Sequence, residues 1–487
     1  MIYNQYLKTD ISKANEFINQ ICNIKSDNDL VKFYQTYLLF IINLDLDKYQ
    51  EVKENCQECL LIADSFSSEI KSIFAKELLF VKYYNVILNY YDMSNIDLDE
   101  LNVELQILRQ ELKSHEHEKT FLNEILMRIN LFIFAMLSEI NHDILKEIGI
   151  SKLNFNRFRY VCDNITTRIF KHNENRRDIS HYTSISNSFN ILETSTLWVS
   201  RFDFLNDKYE LRHITDIVES ILCDLDKKQI DELSHEDQTL LYDFISIVNK
   251  VVKNLLDESD LANLTVEEKN LIMTSSCNYF VLSFCRKSDS LSMWGNYTKF
   301  NGCNLNFNGN KFISYYENAH IKSSLNLLIK QSRKNDFDKE LFSAFYYGDV
   351  VYDKDKIKKA LVDDYITTFR LFKTNNSGIN KFIITRILLE LTLIWGLFSK
   401  TQYFEYEEEY RLVFSLYDDL YKQKVRFRAA ANNYIPYIEI PLDVNSLQKI
   451  VVGPLNNSDL AVKGFKEYVK HNNIDIIDIS KSAIPFR

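Results

Sequence analysis

The chain withholds glycine and proline from its first half. All four prolines (Pro436, Pro441, Pro454, Pro485) lie beyond residue 430, and of nine glycines only Gly149 precedes Gly295. A stretch without these breakers favours helices joined by short polar turns, whereas strands and tight turns need them. The sequence is therefore expected to be helical first and mixed later. At 487 residues it also exceeds one ordinary hydrophobic core, which points to two or three domains.

Apolar periodicity agrees. Leu30, Val31, Tyr34, Tyr37, Leu38 and Ile41 form a stripe at helical spacing, and further stripes run over Tyr49–Ala63, Ile70–Tyr90, Leu101–Leu112 and Leu122–Ile140. Residues 1–170 are read as an all-helical regulatory or interaction domain of six or seven antiparallel helices, akin to helical-hairpin repeats but without a tetratricopeptide consensus. Its aromatic stripes are read as packing. The polar, unpatterned Lys171–Asp178 stretch serves as a linker over 171–179. Beyond it, 197–200, 279–284, 303–307, 410–414, 437–440 and 449–452 read as strands. Helical insertions near 209–272, 320–345 and 355–398 and a helix near 457–471 separate them. The fold class is α+β overall, with residues 180–487 as the α+β domain.

Bulk chemistry removes several classes. A formal charge of −10 argues against broad, sequence-blind nucleic-acid binding, which needs a basic face. The best local basic stretch, Lys422, Lys424, Arg426 and Arg428, also fits the exposed face of a strand. The longest apolar run, Phe382–Phe398, carries Arg386 and Glu390 four residues apart, as in a buried helix with one polar edge, so no membrane span is expected. Eight dispersed cysteines and an N-terminus without basic start or apolar run imply reduced thiols and a cytoplasmic address. Cys56 and Cys59 have half the spacing of a zinc site, but no second pair appears and one helical face accounts for them. No metal site and no glycine-rich phosphate loop is found.

The scarce residue types recur in short polar-aromatic islands. These are His181-Tyr182-Thr183, Leu205-Asn206-Asp207 with Glu210, Ser292-Met293-Trp294-Gly295-Asn296-Tyr297, Glu407-Glu408-Glu409-Tyr410-Arg411-Leu412, Val452-Gly453-Pro454 and Ser480 to Arg487. In order and spread they resemble a widespread bacterial domain of unknown function, often found beside antiphage and abortive-infection loci, over residues 180–487. The opening His-Tyr-Thr strand is also similar to the first segment of ADP-ribosyltransferases, with DNA-targeting toxins as the nearest analogy. That resemblance implies a split-sheet domain that binds NAD as substrate through a His, a mid-domain aromatic and a Glu.

On that basis Glu409 is the expected catalytic carboxylate, Glu407 handles the acceptor, and Tyr297 or Trp294 is the nicotinamide platform. His181, Tyr182 and Thr183 form the anchor, with Asn206, Asp207 and Arg411 as further contacts. Cleaving the nicotinamide–ribose bond passes through a cation-like sugar, so a carboxylate and a flat platform are the groups required. On one strand Glu407, Glu409 and Arg411 would share a face. Each residue also has a plainer reading. The acids and Arg411 make an exposed cross-strand charge ladder, and His181 is a hydrogen-bonded core or capping histidine. Asn206 or Asp207 caps the following helix, and Trp294 and Tyr297 are core. The expected function is an ADP-ribosyltransferase-like effector acting on a nucleic-acid or protein target in antiphage defence. The alternative is a non-catalytic module sensing a nucleotide or a phage protein.

Overall fold

A computed structural model describes residues 11–485 except 47, 92–95, 114–124, 127, 131, 133–161, 164, 168, 171–175, 206–210, 258–263, 275–277, 330–343, 373–377, 417, 431–432, 456–457 and 477. The chain divides into two compact units, residues 1–148 with 321–336, and residues 149–320 with 337–487.

The first unit contains α1 (Ile11–Cys22), α2 (Asp29–Asp45), α3 (Tyr49–Asp64), α4 (Ser68–Ile73), α5 (Ala75–Tyr91) and α6 (Leu98–Lys113). Asn28 starts α2 by accepting a hydrogen bond from the Leu30 N–H at 2.9 Å, satisfying one orphan donor of the first turn. Helix α2 packs on α3, α3 on α5, and α5 on α6. The aromatic stripes are core: Phe40 meets Phe80 and Tyr84 edge-on at 5.3 and 5.6 Å. Cys56 and Cys59 lie buried beside Val52 on α3. Burial pushes both thiols up, Cys59 to about 12, and among the described residues no group could hold a metal. The expected stripe over 122–140 falls mostly outside the described residues.

Among the described residues the second unit is built on a ten-stranded sheet. Its strands are β1 (Ile179–Thr183), β2 (Thr196–Arg201), β3 (Tyr279–Cys285), β4 (Cys303–Phe307), β5 (Ala344–Asp349), β6 (Glu409–Ser415), β7 (Arg426–Ala430), β8 (Asn433–Pro441), β9 (Leu447–Val452) and β10 (Asp478–Lys481). The order is β10-β9-β4-β1-β3-β2-β8-β7, and β6 pairs with β3 and β5 as a branch. All pairs are antiparallel except β9 with β10.

Strand alternation gives the sheet two unlike faces. Ile179, Leu197, Val199, Phe280, Leu282, Phe284, Leu305, Tyr410, Leu412, Ile438 and Ile450 fill one continuous apolar core. Residues between them, including Ser180, Trp198, Ser200, Ser283, Glu409 and Arg411, project the other way. Helices complete the unit: α7 (Ile185–Thr194), α8 (Arg212–Asp226), α9 (His235–Asp257), α10 (Val266–Thr274), the part of α11 (Gly309–Ile329) up to His320, α12 (Lys354–Phe372), α13 (Gly378–Leu397), α14 (Asp418–Lys424) and α15 (Ser458–His471).

Helix α13 is the apolar run with two charges. Arg386 and Glu390 are fully buried and paired at 2.9 Å. Arg386 also donates to Asp163 at 2.7 Å, and the Tyr279 hydroxyl donates to Glu390. Buried charges persist only when paired in this way. Among the described residues no helix is long and apolar enough to cross a membrane.

Three features differ from those expected of the sequence. The helix expected over 320–345 begins at Gly309 and is followed by strand β5 from Ala344. Strands β5 and β10 were not expected. Lys422 and Lys424 belong to α14 rather than to a strand, and only Arg426 and Arg428 stand on β7.

Candidate functional site

Strand β3 gives one edge to two partners. It pairs with β2 through Phe280 and Val281 and with β1 through Cys285. Leu282, Ser283 and Phe284 lie between those registers, where β1 and β2 part. A cleft of about 370 Å³ opens there, within the size range of small-molecule sites. His181, Trp198, Ser200, Tyr297, Lys400, Glu407, Glu409, Arg411 and Arg428 all line it. The imidazole, the ring and both acids singled out in the sequence thus border one hollow.

The acids form a buried four-charge cluster. Glu407, Glu409, Lys400 and Arg411 are 6%, 5%, 7% and 1% exposed, so the reading of an exposed charge ladder is overturned. Arg411 grips both oxygens of Glu409, Nε to Oε1 at 2.7 Å and Nη2 to Oε2 at 2.9 Å. Lys400 bridges the acids, lying 2.7 Å from Glu409 and 2.9 Å from Glu407. The Tyr297 hydroxyl donates to Glu407 at 3.1 Å.

Glu407 does not share a strand face with Glu409. It ends a 3₁₀ turn, Gln402–Glu407; Glu408 then reverses the chain at φ 40°, and β6 begins at Glu409. The acids meet through Lys400 rather than through strand alternation.

The titrations follow from this packing. Burial works against the charge on Glu409, but Arg411 and Lys400 outweigh it and hold the carboxyl down to about 2. Burial lowers His181 to about 4, with a hydrogen bond to the Ser283 backbone pulling the other way. Burial raises Cys285 to about 11 and pushes the Tyr297 phenol up, with Glu407 and Glu409 adding to the latter. Near neutral pH the cleft therefore holds an ionised Glu409, a neutral imidazole and a protonated thiol. None of these three titrates near 7, so they serve charge stabilisation better than proton abstraction or thiolate attack.

His181 reaches the cleft from the seam. The registers Ser180 to Cys285 and Cys285 to Glu409 place those three on one face. One residue on, His181 faces the other side and packs edge-on against Phe284 at 5.8 Å.

Other expected site residues serve the fold; of these Tyr182 also lines the cleft, whereas Trp294 and Thr183 do not. Trp294 is fully buried and is not the platform. Its indole N–H donates to Asp289 at 2.6 Å and its ring meets Tyr182 edge-on at 4.8 Å. Those two rings pack with Cys285, Met293 and Val451 in a second, smaller core. The Tyr182 hydroxyl accepts from the Ser290 N–H and donates to the Lys287 carbonyl, both at 2.9 Å, so it is occupied in holding the fold. Thr183 is buried against Gly302, where an added Cβ would lie 2.4 Å from the Thr183 carbonyl oxygen. Only glycine fits there.

The remaining islands join this knot. The Gly453 N–H donates to the Gly302 carbonyl at 2.8 Å. Ser482 Oγ and the Ala483 N–H both donate to Asp289 at 2.7 Å. Asn206, Asp207, Glu210 and Arg487 lie outside the described residues. Sequence reasoning missed Lys400, Trp198 and Arg428 as site residues. Lys400 had no local signal, because its acids lie across a turn.

Residues 293–412 match the family described as protein of unknown function (DUF2971). The matched segment takes in Tyr297, Lys400 and the two acids, and leaves His181, Trp198 and Arg428 outside. No curated protein and no solved structure matches the chain.

Proposed function

We propose that the protein is an ADP-ribosyltransferase-like effector that cleaves NAD and passes ADP-ribose to a macromolecular acceptor in antiphage defence. The observation that carries this reading is the cleft at the parting of β1 and β2, with His181, Tyr297, Glu407 and Glu409 around it. The defence setting rests on the resemblance of the sequence islands alone.

In this mechanism the half-exposed Tyr297 ring stacks on nicotinamide, and the carboxylates offset the charge that grows on the ribose. The bond from the ribose anomeric carbon to the pyridinium nitrogen breaks, and its electron pair neutralises the ring, which leaves as nicotinamide. The acceptor's nucleophile bonds to the same carbon and releases its proton to solvent. Glu409 must exchange a contact with Arg411 or Lys400 for the ribose hydroxyl; Glu407 stays tied to the Tyr297 hydroxyl. His181, held neutral, donates or accepts hydrogen bonds at the far ribose without bringing a second positive charge.

Nicotinamide release from NAD by purified full-length protein, with nucleic-acid and protein acceptors supplied, is the test. Glu409→Gln is expected to abolish release. Because removing one partner of a buried ion pair also destabilises a fold, Tyr297→Ala supplies a matched variant that removes a ring 44% exposed. Full turnover in both variants would sink the reading.

A second reading, a non-catalytic nucleotide-sensing module, is favoured by one observation. Both Glu409 oxygens are already held by Arg411, and the four charges cancel. Calorimetric binding of NAD without any product would select it.

A further inference from the structure

Three cations line the cleft, and two are committed. Lys400 and Arg411 are each bonded to the acids. The third, Arg428, stands on the edge strand β7. Its Nη2 donates to Ser200 Oγ at 3.1 Å, while its Nε is buried without a hydrogen-bond partner. No acid among the described residues pairs with it. Because the four-charge cluster is neutral, Arg428 leaves the hollow with one uncompensated positive charge. A buried guanidinium N–H without an acceptor is costly, and native proteins rarely tolerate one without a reason.

The surroundings indicate the missing acceptor. Ser200 lies opposite Tyr437 in the β2–β8 register, and Arg428 reaches across β8 to it. Trp198, two residues earlier on the same face of β2, is 50% exposed and lies on Tyr437 at 4.6 Å with 30° between the rings. A guanidinium fork matches phosphate oxygens in two-point geometry, and a half-exposed indole gives a flat surface for a base or sugar.

We propose that Arg428, held by Ser200 and flanked by Trp198, is the phosphate-binding residue of a nucleotide subsite in this cleft. The proposal rests on the nucleotide reading of the same hollow and adds the residue that anchors the anion. Arg428 presents its guanidinium charge to the phosphate, Ser200 fixes the fork, and the indole covers the attached nucleoside.

Calorimetry on the full chain tests this with ADP, adenosine and inorganic pyrophosphate as probes. Wild type is expected to bind ADP more tightly than adenosine. Arg428→Gln should weaken ADP binding on the order of ten- to a hundredfold and leave adenosine binding unchanged, which also reports an intact fold. Arg428→Lys, which keeps the charge but loses the fork, should fall between. ADP binding unaltered in Arg428→Gln would overturn the proposal, and equal affinity for pyrophosphate and ADP would overturn its nucleotide part. Weakened ADP binding in Arg428→Gln supports the subsite even where wild type releases no nicotinamide. Undiminished binding alongside nicotinamide release rejects the subsite and keeps the transferase reading.

Discussion

The knot around Trp294 and the cluster around Glu409 arise from the same kind of sequence island, yet they are built to opposite ends. In the knot a single carboxylate, Asp289, accepts from Trp294, Ser482 and Ala483, and the Tyr182 hydroxyl is used on both sides. In the cluster, four charged groups compensate one another along the wall of an open hollow. Scarcity of a residue type flags both. Only the partner tells them apart: a knot side chain ends on protein, whereas the cleft keeps a half-exposed ring and a guanidinium N–H without an acceptor.

The contrast predicts its largest effect at Trp294. Trp294→Ala removes a fully buried ring together with one of the three donors to Asp289. It should cost about 3–5 kcal/mol of unfolding free energy, as other large-to-small core changes do. Denaturant unfolding read against nicotinamide release or ADP binding decides the matter. A Trp294→Ala protein of wild-type stability that has lost ligand binding would erase the distinction between knot and cleft.

His181 stands at the seam between the two, and its titration places it. Burial lowers its folded pKa to about 4 from 6.5. The folded state resists protonation more than the unfolded chain, so this contribution is complete above about pH 6.5 and is lost as pH falls towards 4. The full shift corresponds to about 3 kcal/mol. His320, also lowered to about 4 by burial, acts in the same direction. Unfolding measured from pH 7 to pH 4 should therefore show falling stability, and His181→Gln should flatten that slope by about one proton. An unchanged slope would mean that the imidazole titrates as though in water and belongs to the open side of the cleft.

Much of the architecture was legible because it is written in short-range pattern. Helical stripes and apolar alternation mark most elements of both units, and the i, i+4 charges at Arg386 and Glu390 mark a buried helix. The site was legible in part. His181, Tyr182, Tyr297, Glu407, Glu409 and Arg411 do border one cleft, but Thr183 and Trp294 were placed with them because island membership does not reveal which way a side chain points. A two-residue change in the start of β6 decides whether Glu407 lies on a strand, and a left-handed Glu408 is not readable from composition. Lys400 and Arg428 become visible only through contacts that skip seven and 228 residues.

Tyr297 gives the finest test, since it shares a helical turn with Trp294 yet belongs to the other region. The chain makes a π-helical turn over Trp294–Thr298, so the two rings leave it in different directions. Trp294 goes inward to Asp289, and Tyr297 goes to the cleft, where its hydroxyl holds Glu407. Tyr297→Phe removes that hydroxyl and keeps the ring. The lost bond should cost at most about 1 kcal/mol, because Glu407 keeps Lys400 and the ring is half-exposed. Nicotinamide release should persist in Tyr297→Phe and vanish in Tyr297→Ala, since stacking needs the ring and not the oxygen. A Tyr297→Phe protein as unstable as Trp294→Ala would make the hydroxyl part of the scaffold and move Tyr297 out of the cleft's chemistry.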